Sequence, residues 1–151
     1  MAEKFLKILL VEDNPDDIEL TRIALKEGHI VNKMEVIRDG EEALDYFQKN
    51  CLSPNALESD LPALILLDIN LPKVDGIEIL KYIKKTEKIK RIPVVMLTTS
   101  QRDEDIVSSY DLGVNSYIQK PVEFDKFIKT VATVQLYWML TNTPPLLNGK
   151  G

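Results

Sequence analysis

Leu64-Ile65-Leu66-Leu67-Asp68 is the stretch of this sequence that decides the fold. Four consecutive apolar residues, followed by a turn at Ile69-Asn70-Leu71-Pro72, indicate a strand that is covered on both faces, as in parallel sheets. Asp68 falls at the carboxyl end of that strand, where open α/β sheets bind their ligands. An aspartate at this position can equally cap the following turn, so this stretch alone does not separate a structural aspartate from a functional one.

The composition limits the classes of function that the chain can have. With 151 residues, 44% of them hydrophobic and 28% charged, the chain is expected to fold as one globular domain. A net charge of -5 argues against nucleic acid as a partner, because nucleic-acid binders carry basic surfaces. A single cysteine and a single histidine exclude an internal disulfide framework, a multi-cysteine zinc site and a metal site built from several histidines. Neither a membrane span nor a signal peptide is visible, so we expect a soluble, cytoplasmic protein.

Strand and helix patterns alternate along the whole chain. Predicted strands cover 5–11, 33–38, 64–68, 93–97 and 115–119, and predicted helices cover 16–27, 41–50, a segment that begins at 76, 103–112 and 123–140. The segment 51–62 is predicted to be a surface loop, and 141–151 a poorly ordered tail. Strands that alternate with helices require right-handed crossovers and a mostly parallel sheet. The sequence therefore predicts one doubly wound α/β domain with five strands and five helices over residues 1–140.

Polar side chains follow four of the five predicted strands. Glu12 and Asp13 follow the first strand, Asp68 ends the third, Thr98 follows the fourth, and Lys120 follows the fifth. Because parallel strands present their carboxyl ends at one edge of a sheet, these side chains are expected to converge. Close carboxylates repel each other unless a cation joins them, and an all-oxygen acidic cluster suits Mg²⁺. The hydroxyl and the ammonium would complete a phosphate site.

Five motifs in register resemble the receiver domain of two-component response regulators. They are Val-Glu-Asp-Asn at 11–14, Leu-Asp-Ile-Asn-Leu-Pro at 67–72, Asp-Gly at 75–76, Thr98 after an apolar run, and Lys-Pro at 120–121. The resemblance covers about residues 5–140 and implies the flavodoxin-like strand order 2-1-3-4-5. It also implies a stand-alone response regulator that is not an enzyme, apart from catalysing its own phosphorylation and dephosphorylation.

The resemblance assigns a nucleophile and a metal site. Asp68 matches the phosphoacceptor, whose carboxylate would attack a phosphohistidine of a sensor histidine kinase. Asp13, Asp68 and the backbone carbonyl of Asn70 would bind Mg²⁺ directly, and Glu12 would act through a water. These roles follow from the family motif and not from the spacing of the residues.

The resemblance also assigns the residues that would contact and report the phosphoryl group. Lys120 would hold a phosphoryl oxygen and balance charge in the transition state. Thr98 would form a hydrogen bond with the phosphoryl group, and Tyr117 matches the aromatic switch position that moves with Thr98. The Lys120–Pro121 peptide is implied to be cis.

The end of the last predicted helix is apolar on two sides. Leu136, Tyr137 and Leu140 lie on the side of this helix opposite the apolar face that is expected to pack on the core. A helix that is apolar on two sides usually requires a second partner to cover the outer one. We expect this end, with the fourth helix and fifth strand, to form a homodimer contact; the alternative is that the tail at 144–147 folds back over it.

The aromatic helix end and the long loop before the third strand resemble the single-domain receivers that partner bacterial and cyanobacterial phytochromes. The expected partner is therefore a sensor histidine kinase, specifically a light-sensing one, or a phosphotransfer domain.

Two other functions are compatible with the same fold. A small-molecule phosphohydrolase would use an aspartyl-phosphate intermediate, but it needs a further acid or base near the nucleophile, and Asn70 cannot supply one. A flavin-binding electron carrier would need a cradle for an anionic cofactor, and the acidic turn after the first strand is a poor one.

Overall fold

The protein is described by a computed structural model that covers residues 7–27, 33–57, 60–114 and 116–133, and in these ranges five strands alternate with five helices. The strands are β1 (Ile8–Val11), β2 (Met34–Ile37), β3 (Leu64–Asp68), β4 (Val94–Thr98) and β5 (Tyr117–Gln119). The helices are α1 (Pro15–Glu27), α2 (Gly40–Tyr46), α3 (Gly76–Lys85), α4 (Gln101–Ser108) and α5 (Phe124–Thr133). The strands form one parallel sheet in the order β2-β1-β3-β4-β5, which confirms the predicted doubly wound, flavodoxin-like topology.

β3 is the central strand of the sheet, and all five of its residues are buried. Alternate residues contribute to opposite layers of the core. Ile65 and Leu67 pack with side chains of α2 and α3, whereas Leu64 and Leu66 pack with side chains of α1 and α5. Successive side chains of a strand point to opposite faces, so a strand between two helical layers must be apolar at every position. Burial from both sides thus explains the apolar run that decides the fold.

Polar caps begin the helices that follow β1, β3 and β4. The Asn14 side-chain oxygen accepts hydrogen bonds from the backbone N–H groups of Asp16 (2.8 Å) and Asp17 (3.1 Å) at the start of α1. Asp75 and Ser100 cap α3 and α4 in a similar way. Each cap satisfies donors that the first turn of a helix leaves unpaired, and so fixes where the chain turns away from the sheet edge.

The second helix differs from its predicted bounds. The helix predicted over 41–50 ends at Tyr46 and continues as a π-helical turn, Phe47–Cys51, in which the Leu52 N–H donates to the Phe47 carbonyl at 2.9 Å. The first and last residues of this turn are fully buried. Apolar spacing does not reveal a single π turn, because the extra residue leaves the buried side of the helix apolar.

Among the other elements, the fourth helix and the fifth strand differ most from their predicted bounds. The fourth helix begins at Gln101 and not at 103, because Ser100 supplies the cap, and it ends at Ser108 instead of 112. Within the described residues the fifth strand begins at Tyr117 instead of 115, which leaves it only three residues long. Each element overlaps the predicted segment, and its ends differ because hydrogen bonding and not hydrophobicity sets them.

Some predictions concern residues outside the described ranges. They include the dimer residues Leu136, Tyr137 and Leu140, and the tail 141–151. For the residues that are described, no helix combines the length and the apolar character that crossing a membrane requires.

Candidate functional site

Three carboxylates meet at the carboxyl edge of the sheet. Val11 and Leu67 are paired in the register of the adjacent strands β1 and β3, so the residues that follow them, Glu12 and Asp68, lie side by side. Asp13 comes next along the chain, and one carboxylate oxygen from each of the three acids lies within 4.8 Å of the other two. Glu12 and Asp68 are buried, whereas Asp13 is exposed. We call these three residues the acidic cluster; it is open to solvent on its Asp13 side.

The backbone of Lys120 is fixed beside the end of β4. Its N–H donates to the Thr98 carbonyl at 2.7 Å, which ties the chain after β5 to the last residue of β4. The Lys120–Pro121 peptide is cis, which confirms the prediction. The lysine side chain therefore starts from the same sheet edge as the acidic cluster.

The Lys120 ammonium contacts three carboxylates. Its Nζ lies 3.2 Å from Glu12 Oε1, 3.2 Å from Asp68 Oδ2 and 3.0 Å from Asp17 Oδ2. Burial disfavours the charged ammonium, but the hydrogen bond to Asp17 and the charges of Asp68 and Glu12 outweigh it and raise the pKa of Lys120 above its ordinary value. Lys120 is therefore a permanent positive charge at neutral pH.

Glu12 is the cluster residue whose charged form is disfavoured. Burial, and then the negative charge of Asp68, raise the pKa of Glu12 to about 7. Lys120 and the Asn14 N–H, which donates to Glu12 Oε2 at 3.2 Å, act in the opposite direction but do not cancel the effect. Lys120 alone thus leaves the acidic cluster short of positive charge, and a further cation would be stabilised there.

Thr98 ends β4 with an unpaired hydroxyl. The residue is fully buried, and its Oγ1 has no hydrogen-bond partner within the described ranges. An unsatisfied buried hydroxyl costs about 1–3 kcal/mol, so an oxygen of a ligand bound next to it would gain a donor that is already dehydrated. On the neighbouring strand, Tyr117 is half-buried and its hydroxyl lies 2.9 Å from Ser108 Oγ at the end of α4.

Close backbone contacts hold the loop that follows β3. The Asn70 N–H donates to Asp68 Oδ1 at 3.2 Å, and the Gly76 N–H donates to the Ile69 carbonyl at 2.9 Å. A Cβ added to Gly76 would lie 2.1 Å from the Asp68 carbonyl oxygen. Glycine is therefore required at 76, since any side chain there would displace the strand end that carries Asp68.

Asp17 is a site residue that sequence reasoning missed. It lies in the first turn of α1, and its contact with Lys120 is the shortest of the ion pairs that Lys120 forms in the described residues. Acidic residues in a first helical turn are ordinarily explained by the helix dipole, so nothing in the sequence singles Asp17 out from Asp16. A weak signal is its place in the helix that directly follows the Glu12-Asp13 pair, because the first turn of that helix passes close to the sheet edge.

The donor set of the acidic cluster fits a hard divalent cation. The three carboxylates offer only oxygen ligands, which Mg²⁺ and Mn²⁺ prefer over nitrogen and sulfur. Mg²⁺ in particular is bound by one or two carboxylates and keeps its other positions for water and phosphate oxygens. An open side at Asp13, beside a partly buried lysine and an unpaired hydroxyl, meets that requirement.

This fold, with acids, a lysine and a hydroxyl at the carboxyl ends of its strands, is that of a receiver domain. Residues 8–132 match the family model of the response regulator receiver domain. The chain therefore belongs to the response regulator receiver family, whose members are signalling proteins of two-component systems and not conventional enzymes. Receiver domains take a phosphoryl group from a histidine kinase onto an aspartate and bind a divalent metal ion at an acidic cluster.

Relatives of known identity match nearly the whole chain. The response regulator Rcp1 of Synechocystis sp. is 42% identical over 91% of this chain and 92% of its own length, and the probable methanogenesis regulatory protein FilR2 of Methanothrix harundinacea is 41% identical over 95% and 90%. The solved structure of the bacteriophytochrome response regulator AtBRR superposes on this chain with a TM-score of 0.80 and 45% sequence identity. The match covers 93% of this chain and 99% of the AtBRR chain. The Mn²⁺-bound form of Rcp1 is 41% identical, with a TM-score of 0.69 and the same coverage. The chain is thus similar both to a bacteriophytochrome response regulator and to a regulator named for methanogenesis.

Proposed function

We propose that this chain accepts a phosphoryl group on Asp68 from a sensor histidine kinase. The observation that carries the proposal is the 3.2 Å contact between Asp68 Oδ2 and Lys120 Nζ within the acidic cluster. A carboxylate oxygen of Asp68 would attack the phosphorus of the phosphohistidine, the P–N bond would break, and the imidazole nitrogen would take up a proton from solvent. Lys120 would hold one phosphoryl oxygen and offset the charge that develops during transfer. Hydrolysis of the aspartyl phosphate would use the same groups.

Mg²⁺ is the proposed cofactor of this reaction. Asp13, Asp68 and the backbone carbonyl of Asn70 would bind the ion directly, and Glu12 would bind it through a water. The ion supplies positive charge that offsets the phosphoryl oxygens and the carboxylates. The oxygen donor set, the raised pKa of Glu12 and the Mn²⁺-bound structure of the relative Rcp1 support this assignment.

Thr98 and Tyr117 are the proposed switch residues. The unpaired hydroxyl of Thr98 would donate to a phosphoryl oxygen once one is present, which supports its assignment as the sensor of phosphorylation. Movement of Thr98 toward Asp68 would leave space beside β4 for the Tyr117 ring. Tyr117 would then give up its contact with Ser108, and the surface formed by α4 and β5 would change.

A light-sensing histidine kinase is the proposed phosphodonor, and the exchange would take place in the cytoplasm, where the ATP that charges such kinases is found. Support comes from the similarity to AtBRR, a bacteriophytochrome response regulator. A kinase without a light sensor, or a phosphotransfer domain, is the alternative donor, because FilR2 is similar to the same degree. Transfer rates from a purified bacteriophytochrome kinase and from a phosphotransfer domain to this chain would discriminate between them.

Homodimer formation is the proposed way in which this chain passes on its signal. Its contact residues, Leu136, Tyr137 and Leu140, lie outside the described ranges, so the proposal rests on the apolar pattern of the sequence. Sedimentation of the native chain beside a variant with polar residues at these three positions tests it. A monomer both with and without phosphate would rule the dimer out.

The phosphoacceptor assignment is tested by incubation with acetyl phosphate and Mg²⁺, followed by intact mass measurement. The wild-type chain is expected to gain one phosphate only when Mg²⁺ is present, and Asp68→Asn to gain none. Asp111→Asn is the matched control, because Asp111 is exposed and has a positive φ of 50° that asparagine also tolerates. A wild-type chain that remains unmodified, or a modified Asp68→Asn chain, would falsify the assignment.

A further inference from the structure

Every donor of the Lys120 ammonium is already engaged. An ammonium has three N–H donors, and four carboxylate oxygens surround Nζ: Asp17 Oδ2 at 3.0 Å, Glu12 Oε1 at 3.2 Å and Oε2 at 3.4 Å, and Asp68 Oδ2 at 3.2 Å. A phosphoryl oxygen can therefore be bound by Lys120 only if it replaces one of these carboxylates.

Asp17 is the carboxylate that can be replaced at the lowest cost. The side chains of Glu12 and Asp68 are 1% and 2% exposed, so neither can be hydrated if Lys120 leaves it, whereas the Asp17 side chain is 21% exposed and can be. Glu12 and Asp68 also belong to the acidic cluster, where both would stay in place to bind the cation. Asp17 lies outside the cluster, so its ion pair with Lys120 would persist when the cation binds.

The backbone of Asp17 is held in place from two sides. Its N–H donates to Asn14 Oδ1 at 3.1 Å, and its carbonyl accepts a hydrogen bond from the buried Thr21 hydroxyl at 2.8 Å. The carboxylate is thus presented to Lys120 by a fixed first turn of α1. If Lys120 shifts toward a phosphoryl oxygen, the Asp17 backbone cannot follow it without breaking these contacts.

We infer that Asp17 is a positioning residue that restrains Lys120 before phosphorylation, and that phosphorylation proceeds by exchange of Asp17 for a phosphoryl oxygen on Lys120. The inference rests on the proposed function of Asp68 as phosphoacceptor. The ion pair stabilises the unphosphorylated chain and so opposes both the transfer and the persistence of the phosphoryl group. The same exchange frees the Asp17 carboxylate from Lys120, while the first turn of α1 keeps its own backbone contacts.

The test compares Asp17→Asn with Asp16→Asn. Both substitutions remove one negative charge from the first turn of α1, and both backbone N–H groups donate to Asn14, but Asp16 is not among the partners of Lys120 Nζ in the described part of the chain. The rate of phosphate incorporation from acetyl phosphate is measured by intact mass over a range of donor concentrations in saturating Mg²⁺, and the half-life of the phosphorylated chain is measured after the donor is removed. Urea unfolding shows that each variant is folded.

Asp17→Asn is expected to raise the maximal rate of incorporation about two- to fivefold, with an unchanged apparent KM for acetyl phosphate, and to lengthen the half-life by a similar factor, as for the loss of a partly exposed ion pair. Asp16→Asn is expected to match the wild type, and Asp17→Glu to return both values toward it. Equal effects of Asp17→Asn and Asp16→Asn, or slower incorporation by Asp17→Asn, would overturn the inference while the proposed function stands. A wild-type chain that takes no phosphate on Asp68 would overturn both.

Discussion

At the scale of single residues, two buried threonines beside the site differ in hydrogen bonding. The Thr21 hydroxyl donates to the Asp17 carbonyl at 2.8 Å, whereas the Thr98 hydroxyl has no partner in the described ranges. A paired hydroxyl contributes about 1 kcal/mol to stability, and an unpaired buried one is a cost. We expect Thr21→Val to lower the free energy of unfolding by about 1 kcal/mol, and Thr98→Val to leave it unchanged or raise it, as measured by urea unfolding.

The two substitutions are expected to affect ligand binding in the opposite order: Thr98→Val should weaken it more than Thr21→Val. Thr98→Val removes the proposed donor to the phosphoryl group and should weaken the Mg²⁺-dependent binding of beryllofluoride, a mimic of that group. Thr21→Val leaves that donor in place, so this variant should bind beryllofluoride more nearly as the wild type does. A Thr98→Val chain that is both clearly less stable and normal in beryllofluoride binding would mean that the hydroxyl has a structural partner.

The raised pKa of Glu12 predicts a pH dependence of stability in the metal-free protein. Glu12 binds its proton more tightly in the folded chain, where its pKa is about 7, than at its ordinary value of 4.5. This contribution to stability is fully present below pH 4.5 and is lost as the pH rises through 7. In EDTA, Glu12→Gln is therefore expected to have a flatter decline in the free energy of unfolding between pH 5 and pH 8 than the wild type. Parallel curves for the two chains would contradict the assignment of the titrating group.

At the scale of elements, α4 is the helix with the weakest hold on the core. Val107 is its single buried residue, whereas α3 buries Gly76, Ile79, Leu80 and Ile83. Much of what fixes α4 is polar: the Ser100 cap, the Thr99 contacts with the Asp103 carboxylate, which lower the pKa of Asp103, and the Tyr117 hydroxyl at Ser108. A helix held mainly by exposed hydrogen bonds can open without unfolding the domain.

Equivalent changes to the caps of α3 and α4 are therefore expected to have different effects. Loss of an N-cap side chain costs about 1 kcal/mol. In Ser100→Ala this cost should appear locally, as roughly fivefold faster amide hydrogen exchange in α4 at nearly unchanged global stability. In Asp75→Ala, the matched change at the start of α3, it should appear in the global free energy of unfolding. A global loss in Ser100→Ala equal to that in Asp75→Ala would show that α4 unfolds only with the rest of the domain.

The elements also show where sequence reasoning succeeds and where it stops. The parallel strands were predictable because β3 must be apolar on both faces, and the side chains after β1, β3, β4 and β5 must then share one edge. The strand order came from the resemblance to receiver domains. The π turn at Phe47–Cys51 and the cap at Ser100 were not, because each depends on hydrogen bonds and not on the spacing of apolar residues. Asp17 was missed for a related reason: its contact depends on how α1 is rotated about its axis above β1.

At the scale of the whole molecule, the topology gathers charge from distant parts of the chain. Glu12 and Lys120 are 108 residues apart in sequence, and Asp68 and Lys120 are 52 apart, yet each pair is in contact. The fold thus concentrates negative charge at one edge of a chain whose net charge is only -5. Close carboxylates oppose folding unless they are neutralised, so stability and metal binding must be linked.

That linkage predicts that Mg²⁺ stabilises the wild-type chain through Asp13. A ligand that binds only the folded state adds RT ln(1 + [L]/Kd), or about 1.4 kcal/mol at tenfold excess over Kd. Asp13 is exposed and forms one side of the acidic cluster, so Asp13→Asn should fold normally in EDTA but gain little from Mg²⁺, while Asp111→Asn should gain as much as the wild type. Thermal unfolding at constant ionic strength measures this difference. Equal gains in stability from Mg²⁺ in the Asp13→Asn and wild-type chains would place the ion elsewhere. Since the ion also favours the charged form of Glu12, the decline in the free energy of unfolding between pH 5 and pH 8 should be flatter in Mg²⁺ than in EDTA.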